Sequence, residues 1–221
     1  MLLFTLALAP CFAIVIFIYS KDKFEKEPKL LLIKCFLLGA ISTIPAAFSE
    51  AFLKDNILPV PVDIVTIAIF SWLGIGIIEE GFKYFFIRFY PYKKKEFNEP
   101  FDGITYSVMV SMGFATLENL IYVYQYGFTT AVTRMFTAVP AHATFGIIMG
   151  YFLGIEKMSG KKSFGLIGLF LAATLHAFYD FFLLTTYIPG MWFGALFSLY
   201  IGVKYSIRAI RIHQSDSPFK I

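Results

Sequence analysis

The stretch IVTIAIFSWLGIGIIEEGFKYFFIRFY, residues 64–90, decides the fold. It is long enough to cross about 30 Å of hydrocarbon, which takes roughly 20 apolar residues in a helix. Yet two adjacent glutamates, Glu79 and Glu80, stand in its middle, with Lys83 close behind. A central acidic residue costs roughly 3 kcal/mol on insertion scales, and two at that depth are beyond snorkelling. Glu118, His142, His176 and Asp180 also fall within apolar runs. Carboxylates and imidazoles at matching depth in a bilayer point to proton chemistry, metal binding or ion movement.

Composition agrees with a membrane setting. The 221 residues are 58% hydrophobic and 15% charged, against about 25% charged in soluble domains. The mean hydropathy is +0.71. Nearly all the length goes into spans, so residues 1–221 read as one integral-membrane domain with no separate soluble part. The net charge of +4 reflects where basic residues sit relative to the membrane, and no nucleic-acid partner is expected. Cys11 and Cys35 lie in or beside different apolar runs. No disulfide is expected, and their spacing fits no cysteine metal motif. No Lys or Arg precedes Lys21, so residues 2–19 read as a retained first span and not as a signal peptide with a basic head.

Apolar runs at 2–19, 29–53, 64–90, 103–126, 131–154, 164–187 and 190–210 predict an all-α, polytopic protein of about seven transmembrane helices. The division between the last two is the least sharply marked. Sixteen of the 19 basic residues fall in the first, third and fifth connections and the tail region. Only Lys54 and Arg134 fall in the even connections, and Lys83 lies inside a span. The positive-inside rule then puts the C-terminus in the cytoplasm and the N-terminus outside. No internal repeat is visible, which argues against a transporter built from inverted halves. Gly146, Gly150 and Gly154 recur every four residues in the fifth run, a small-residue stripe suited to close helix packing. His213, in the tail, is expected to be solvated.

The polar residues converge in depth. At about 1.5 Å per residue, Glu79 lies roughly 16 Å from Tyr90 and His176 roughly 18 Å from Phe164. Glu118 lies roughly 22 Å from Gly103 and His142 roughly 16 Å from Ala131. Lys83 is three residues from Glu80 and four from Glu79, so either carboxylate can reach its ammonium. The two glutamates point about 100° apart on a helix, so one is expected to face the reaction centre while the other braces a neighbouring helix. Asp180, four residues after His176, can orient that ring. Glu118 with Asn119 also suits a purely interhelical role.

Known routes to peptide cleavage within a membrane leave sequence marks. No Gly-x-Ser-Gly elbow occurs, and no His is followed by Glu as a His-Glu-x-x-His zinc site requires. Tyr179-Asp180 is present without the Gly-x-Gly-Asp partner of an aspartyl site. A glutamate acting as general base on water, with histidines donating to the oxyanion, remains open. So does a zinc site with an open position, held by Glu79, Glu118, His142 and His176.

The ordered set is Glu79-Glu80-x-x-Lys83, then FATLEN at 114–119, PAHATFG at 140–146 and LHAFYD at 175–180, with FEKEP at 24–28 in the first connection. Together these resemble the PrsW family of glutamate-dependent intramembrane proteases, over almost the whole chain. The chain is more distantly similar to the CAAX prenyl protease and bacteriocin-processing superfamily. The resemblance implies a multi-pass enzyme of the bacterial plasma membrane with membrane lipid around it. Its substrate would be a single-pass membrane protein, an anti-sigma factor, given its first (site-1) cut during regulated intramembrane proteolysis in a stress response. Carried over by position, Glu79, Glu80, His142, His176 and Asp180 are the catalytic set. Lys83, Glu118 and Asn119 support it, with no cofactor or, alternatively, zinc. Where the CAAX proteases have Phe-x-x-x-His, this chain has Phe114-x-x-x-Glu118. In the expected mechanism Glu79 deprotonates water, while Glu80 and Lys83 hold it in place. His142 and His176 bind the oxyanion or the water, and Asp180 orients His176. A non-catalytic scaffold binding transmembrane partners is the alternative from another class.

Overall fold

The computed structural model describes residues 2–58 and 63–220. Its helices are α1 (Leu2–Lys21), α2 (Lys29–Asn56), α3 (Ile64–Ile69), α4 (Ile77–Phe89), α5 (Pro100–Phe136), α6 (Ala138–Ser159), α7 (Ser163–Leu184) and α8 (Trp192–Ser215). A π-helical stretch, Phe70–Gly76, joins α3 to α4, and a 3-10 turn, Pro91–Lys93, follows α4. No strand occurs among the described residues. The protein is an all-α, polytopic membrane protein. Helices α1, α2, the α3–α4 run, α5, α6 and α7 lie in stretches long and apolar enough to cross a bilayer. Helix α8 is as long, but Lys204, Arg208 and Arg211 load its second half.

Helix α5 is the middle of the bundle, packed by α1, α2 and α6. Its closest neighbour is α6, and the glycine stripe is the cause. A Cβ on Gly150 would run into the carbonyl of Gly103, and one on Gly154 into that of Pro100. Without side chains between them the two backbones touch. The N-terminal end of α5 is also tied down. Asp102 accepts hydrogen bonds from the backbone N–H groups of Asn98 and Glu99, both at 2.8 Å. The Tyr106 hydroxyl donates to Glu27, fastening the first connection to the core. Large apolar side chains such as Phe48, Phe52, Phe85 and Phe89 remain exposed, as lipid-facing positions do.

Two segments depart from expectation. The fourth and fifth runs were expected to part between residues 126 and 131. The helix is interrupted there, at Gly127, whose φ of 77° and ψ of −154° are open to glycine, but it resumes to Phe136 and α6 begins only at Ala138. Arg134, expected in an outer connection, is thereby folded back onto the bundle. His213 is the second departure. It is not solvated but 1% exposed, its ring stacked on Tyr151 with centroids 4.4 Å apart. The absence of a Cβ on Gly154 makes the room for it.

Burial pushes the His213 imidazole down from 6.5 to about 4. A neutral ring in the fold and a protonated one in the unfolded chain make stability complete above about pH 6.5. It is then lost as pH falls toward 4, by up to about 3 kcal/mol. Thermal melts of purified protein should show this fall, and His213→Phe, which keeps the stack but cannot titrate, should flatten it across that window.

Candidate active site

The π stretch sets the site's geometry. It ends at Gly76, where an added Cβ would strike the carbonyl of Ala173. The wide turn inserts a residue, which rotates everything after it by about 100° relative to α3. Glu79 and Glu80 follow three and four residues later, and His176 lies three residues beyond Ala173. The tight seam between Gly76 and α7 therefore presses the glutamates against His176. The Trp72 indole N–H donates to Thr174 Oγ1 at 3.2 Å along the same seam.

Helices α4, α6 and α7 then bring four buried groups together. One ligating atom each from Glu79, Glu80, His142 and His176 lies within 4.8 Å of the others. Lys83 stands among them, fully buried. Its Nζ is 2.7 Å from Glu80 Oε1 and 3.2 Å from Glu79 Oε2. It also lies 3.2 Å from His142 Nδ1 and 3.9 Å from the centre of the Phe114 ring. An ammonium only donates, so His142 Nδ1 accepts and the ring proton is on Nε2. That proton points at Glu118 Oε2, 2.8 Å away. Glu118 is held in turn by Arg134, whose Nη2 is 2.8 Å off. The Arg134 guanidinium donates through Nε to Asn119 Oδ1 at 2.6 Å and lies 4.2 Å over the Tyr122 ring.

His176 is gripped from both sides. Its Nδ1 is 3.0 Å from Glu80 Oε1. Its Nε2 is 3.2 Å from Asp180 Oδ2 and 4.0 Å from Glu79 Oε2. Carboxylate oxygens accept but do not donate, so both ring nitrogens act as donors. Phe145 stacks on the ring at 4.5 Å and fixes its plane.

A cavity of about 610 Å³ opens beside this cluster. Glu79, His142 and His176 line it, together with Glu50 near the end of α2, Arg134 near the end of α5 and Trp192 at the start of α8. Glu80 and Lys83 do not line it. The adjacent glutamates thus face different ways, Glu79 to the cavity and Glu80 into the protein against α7.

Among the sequence-predicted residues, Glu79, Glu80, Lys83, His142, His176 and Asp180 meet directly. Glu118 joins through His142, and Asn119 stands one contact further out, also donating to the Ala7 carbonyl at 3.4 Å. Sequence reasoning passed over Arg134, Glu50 and Phe145. Glu50 is a carboxylate inside the second apolar run, so the signal that drew attention to Glu79 was present for it, whereas Arg134 was read as a connection charge.

In donor chemistry the four-residue group could hold a metal such as zinc. Its membership differs from the expected zinc set. Glu80 stands where Glu118 was expected, since Glu118 is engaged by Arg134 and His142. In arrangement the group does not fit. Three of its four donors already surround the Lys83 ammonium, and a divalent cation between them would stand against that charge.

Comparison with known proteins agrees with the architecture. Residues 27–207 match the family described as "PrsW family intramembrane metalloprotease". Curated relatives carry the name "Protease PrsW". The one from Shouchella clausii (strain KSM-K16) is 37% identical over 180 residues, 80% of this chain and 81% of the relative. That of Bacillus subtilis (strain 168) is 34% identical over 180 residues, 80% of each chain. That of Clostridioides difficile (strain 630) is 32% identical over 221 residues, 96% of this chain and 90% of the relative. No solved structure matches. A buried acid and histidine cluster within a bundle of apolar helices, and relatives that match most of the chain, lead to one assignment: this is a bacterial multi-pass membrane protein that belongs to the PrsW family of intramembrane proteases.

Proposed function

We infer that the chain is an endopeptidase in which Glu79 activates water for attack on a substrate carbonyl. The observation that carries this is the division of labour between adjacent carboxylates: Glu79 faces the cavity, and Glu80 is buried behind it. A general base must reach water, and Glu79 does. It takes the water's proton as the oxygen attacks, and that proton then passes to the leaving amine. Glu80 holds His176 and Lys83 in place. The N–H at His176 Nε2, directed toward Glu79 and Asp180, is positioned to donate to an oxyanion formed beside Glu79. Asp180 orients it. His142, with Nδ1 against Lys83 and Nε2 against Glu118, ties these two charges together and serves as a positioning residue.

The substrate is a single-pass membrane protein, an anti-sigma factor, given its first cut in regulated intramembrane proteolysis. Support for this comes from the family resemblance and not from the site. Seven spans with the N-terminus outside are supported by the placement of basic residues, and that puts the mouth of the cavity on the outer side. Residues 1–221 act as one protease domain, supported by an apolar core that draws on α2, α4, α5, α6, α7 and α8 together. A second reading, a metalloprotease using Glu79, Glu80, His142 and His176, is favoured by their clustering and by the family's printed description. It requires Lys83 to leave the cluster.

Cleavage of purified single-span substrates in liposomes tests both. Glu79→Gln and His176→Ala should each lower the rate by about 100-fold or more while the protein still inserts and folds. Full activity in either variant defeats the mechanism. Exhaustive chelation should leave wild-type activity intact. Loss on chelation with recovery on adding zinc would establish the second reading instead.

A further inference from the structure

Four carboxylates line the cavity: Glu50, Glu79, Glu118 and Asp180. Three are matched by the protein's own cations or rings. Glu79 has Lys83 at 3.2 Å, Glu118 has Arg134 and His142 at 2.8 Å, and Asp180 has His176 at 3.2 Å. Glu50 is different. Among the described residues it makes neither an ion pair nor a side-chain hydrogen bond. Lys54, one turn further along α2, is exposed and not within pairing distance of it. A cation brought against a carboxyl group in a lipid-surrounded cavity favours its charged form and is held by it.

We propose that Glu50 is a specificity-determining residue, and that the cavity takes single-span substrates bearing a Lys or Arg on the outer side of the cut bond. This rests on the endopeptidase reading and adds the substrate's chemistry to it. Arg134, the cavity's own guanidinium, is engaged by Glu118 and Asn119, so no cation of the cavity is left to meet Glu50. The route is visible on α2. Thr43, Ala47 and Glu50 line the cavity at steps of four and three residues, one face of the helix. Thr43 donates to the carbonyl of Phe114, the residue whose ring backs Lys83, so it marks the depth of the reacting groups. Thr43 and Ala47, both small, line the cavity between that depth and Glu50. Glu50 lies about 10 Å further along the helix, a distance that an extended substrate covers in about three residues. Basic residues are sparse on the outer flanks of membrane spans, so a charge there discriminates between candidate substrates.

The test uses purified single-span membrane proteins cut by the wild-type enzyme in liposomes, with the cut located by mass spectrometry. Lys, Met or Glu is then placed in turn at each of the first six outer positions. At one of them wild type should cut the Lys substrate about tenfold faster than the Met substrate, with the Glu substrate slowest. Glu50→Gln should erase that order, and Glu50→Lys should reverse it in favour of Glu. Equal cleavage of Lys and Glu substrates at all six positions overturns the proposal, and so does a preference that survives in Glu50→Gln. If wild type cuts none of the single-span proteins, the endopeptidase reading itself falls, and this proposal with it.

Discussion

The ammonium of Lys83 is buried within a bilayer-spanning bundle, with carboxylates of Glu79 and Glu80 and the Nδ1 of His142 around it. An isolated charge at that depth costs several kcal/mol. Two carboxylates and the face of Phe114 offset much of that cost, and the hydrogen bonds fix where each partner points. Such clusters are asymmetric in their energetics. Removing one member strands the others and costs roughly 3–5 kcal/mol, even where the whole cluster adds little net stability. The glutamates therefore stay ordered without any contact to substrate. The Lys83 ammonium stands where three of these donors converge.

Three backbone features hold that cluster in register. The π stretch turns Glu79 and Glu80 toward α7 and lets Gly76 meet it closely. The stripe of small residues draws α6 onto α5, which sets the depth of His142 relative to Glu118. The bend at Gly127 returns Arg134 to Glu118. Each depends on an absent side chain or an unusual turn, and none is adjustable by small shifts once the helices are packed. Together they set Glu79 on the wall of the cavity and Glu80 behind it against protein.

The fold class was legible because hydropathy leaves little choice: apolar runs of about 20 residues become helices wherever backbone polar groups lack water. The residues that gather at the candidate site were legible for the same reason. Glu79, Glu80, His142 and His176 stood out as groups that a bilayer penalises, and spacing linked Lys83 and Asp180 to them. What escaped depended on tertiary packing. Gly127 gave no warning that helix would resume after it, so Arg134 looked like a loop charge. His213 looked solvated because its shelter comes from Tyr151 and Gly154 on another helix. The π stretch has no distinctive composition. The commitment of both His142 nitrogens also needed coordinates, since sequence shows which rings are near the right depth but not which protons are already taken.

The central claim is that an ammonium, and not a metal ion, sits among Glu79, Glu80 and His142 in the working enzyme. Diffraction at the zinc absorption edge, from crystals of active protein grown with zinc present, tests it most directly. The account predicts density for Lys83 Nζ between the carboxylates and no anomalous peak there. A strong peak coordinated by Glu79, Glu80, His142 and His176, with the Lys83 side chain turned away, would contradict it.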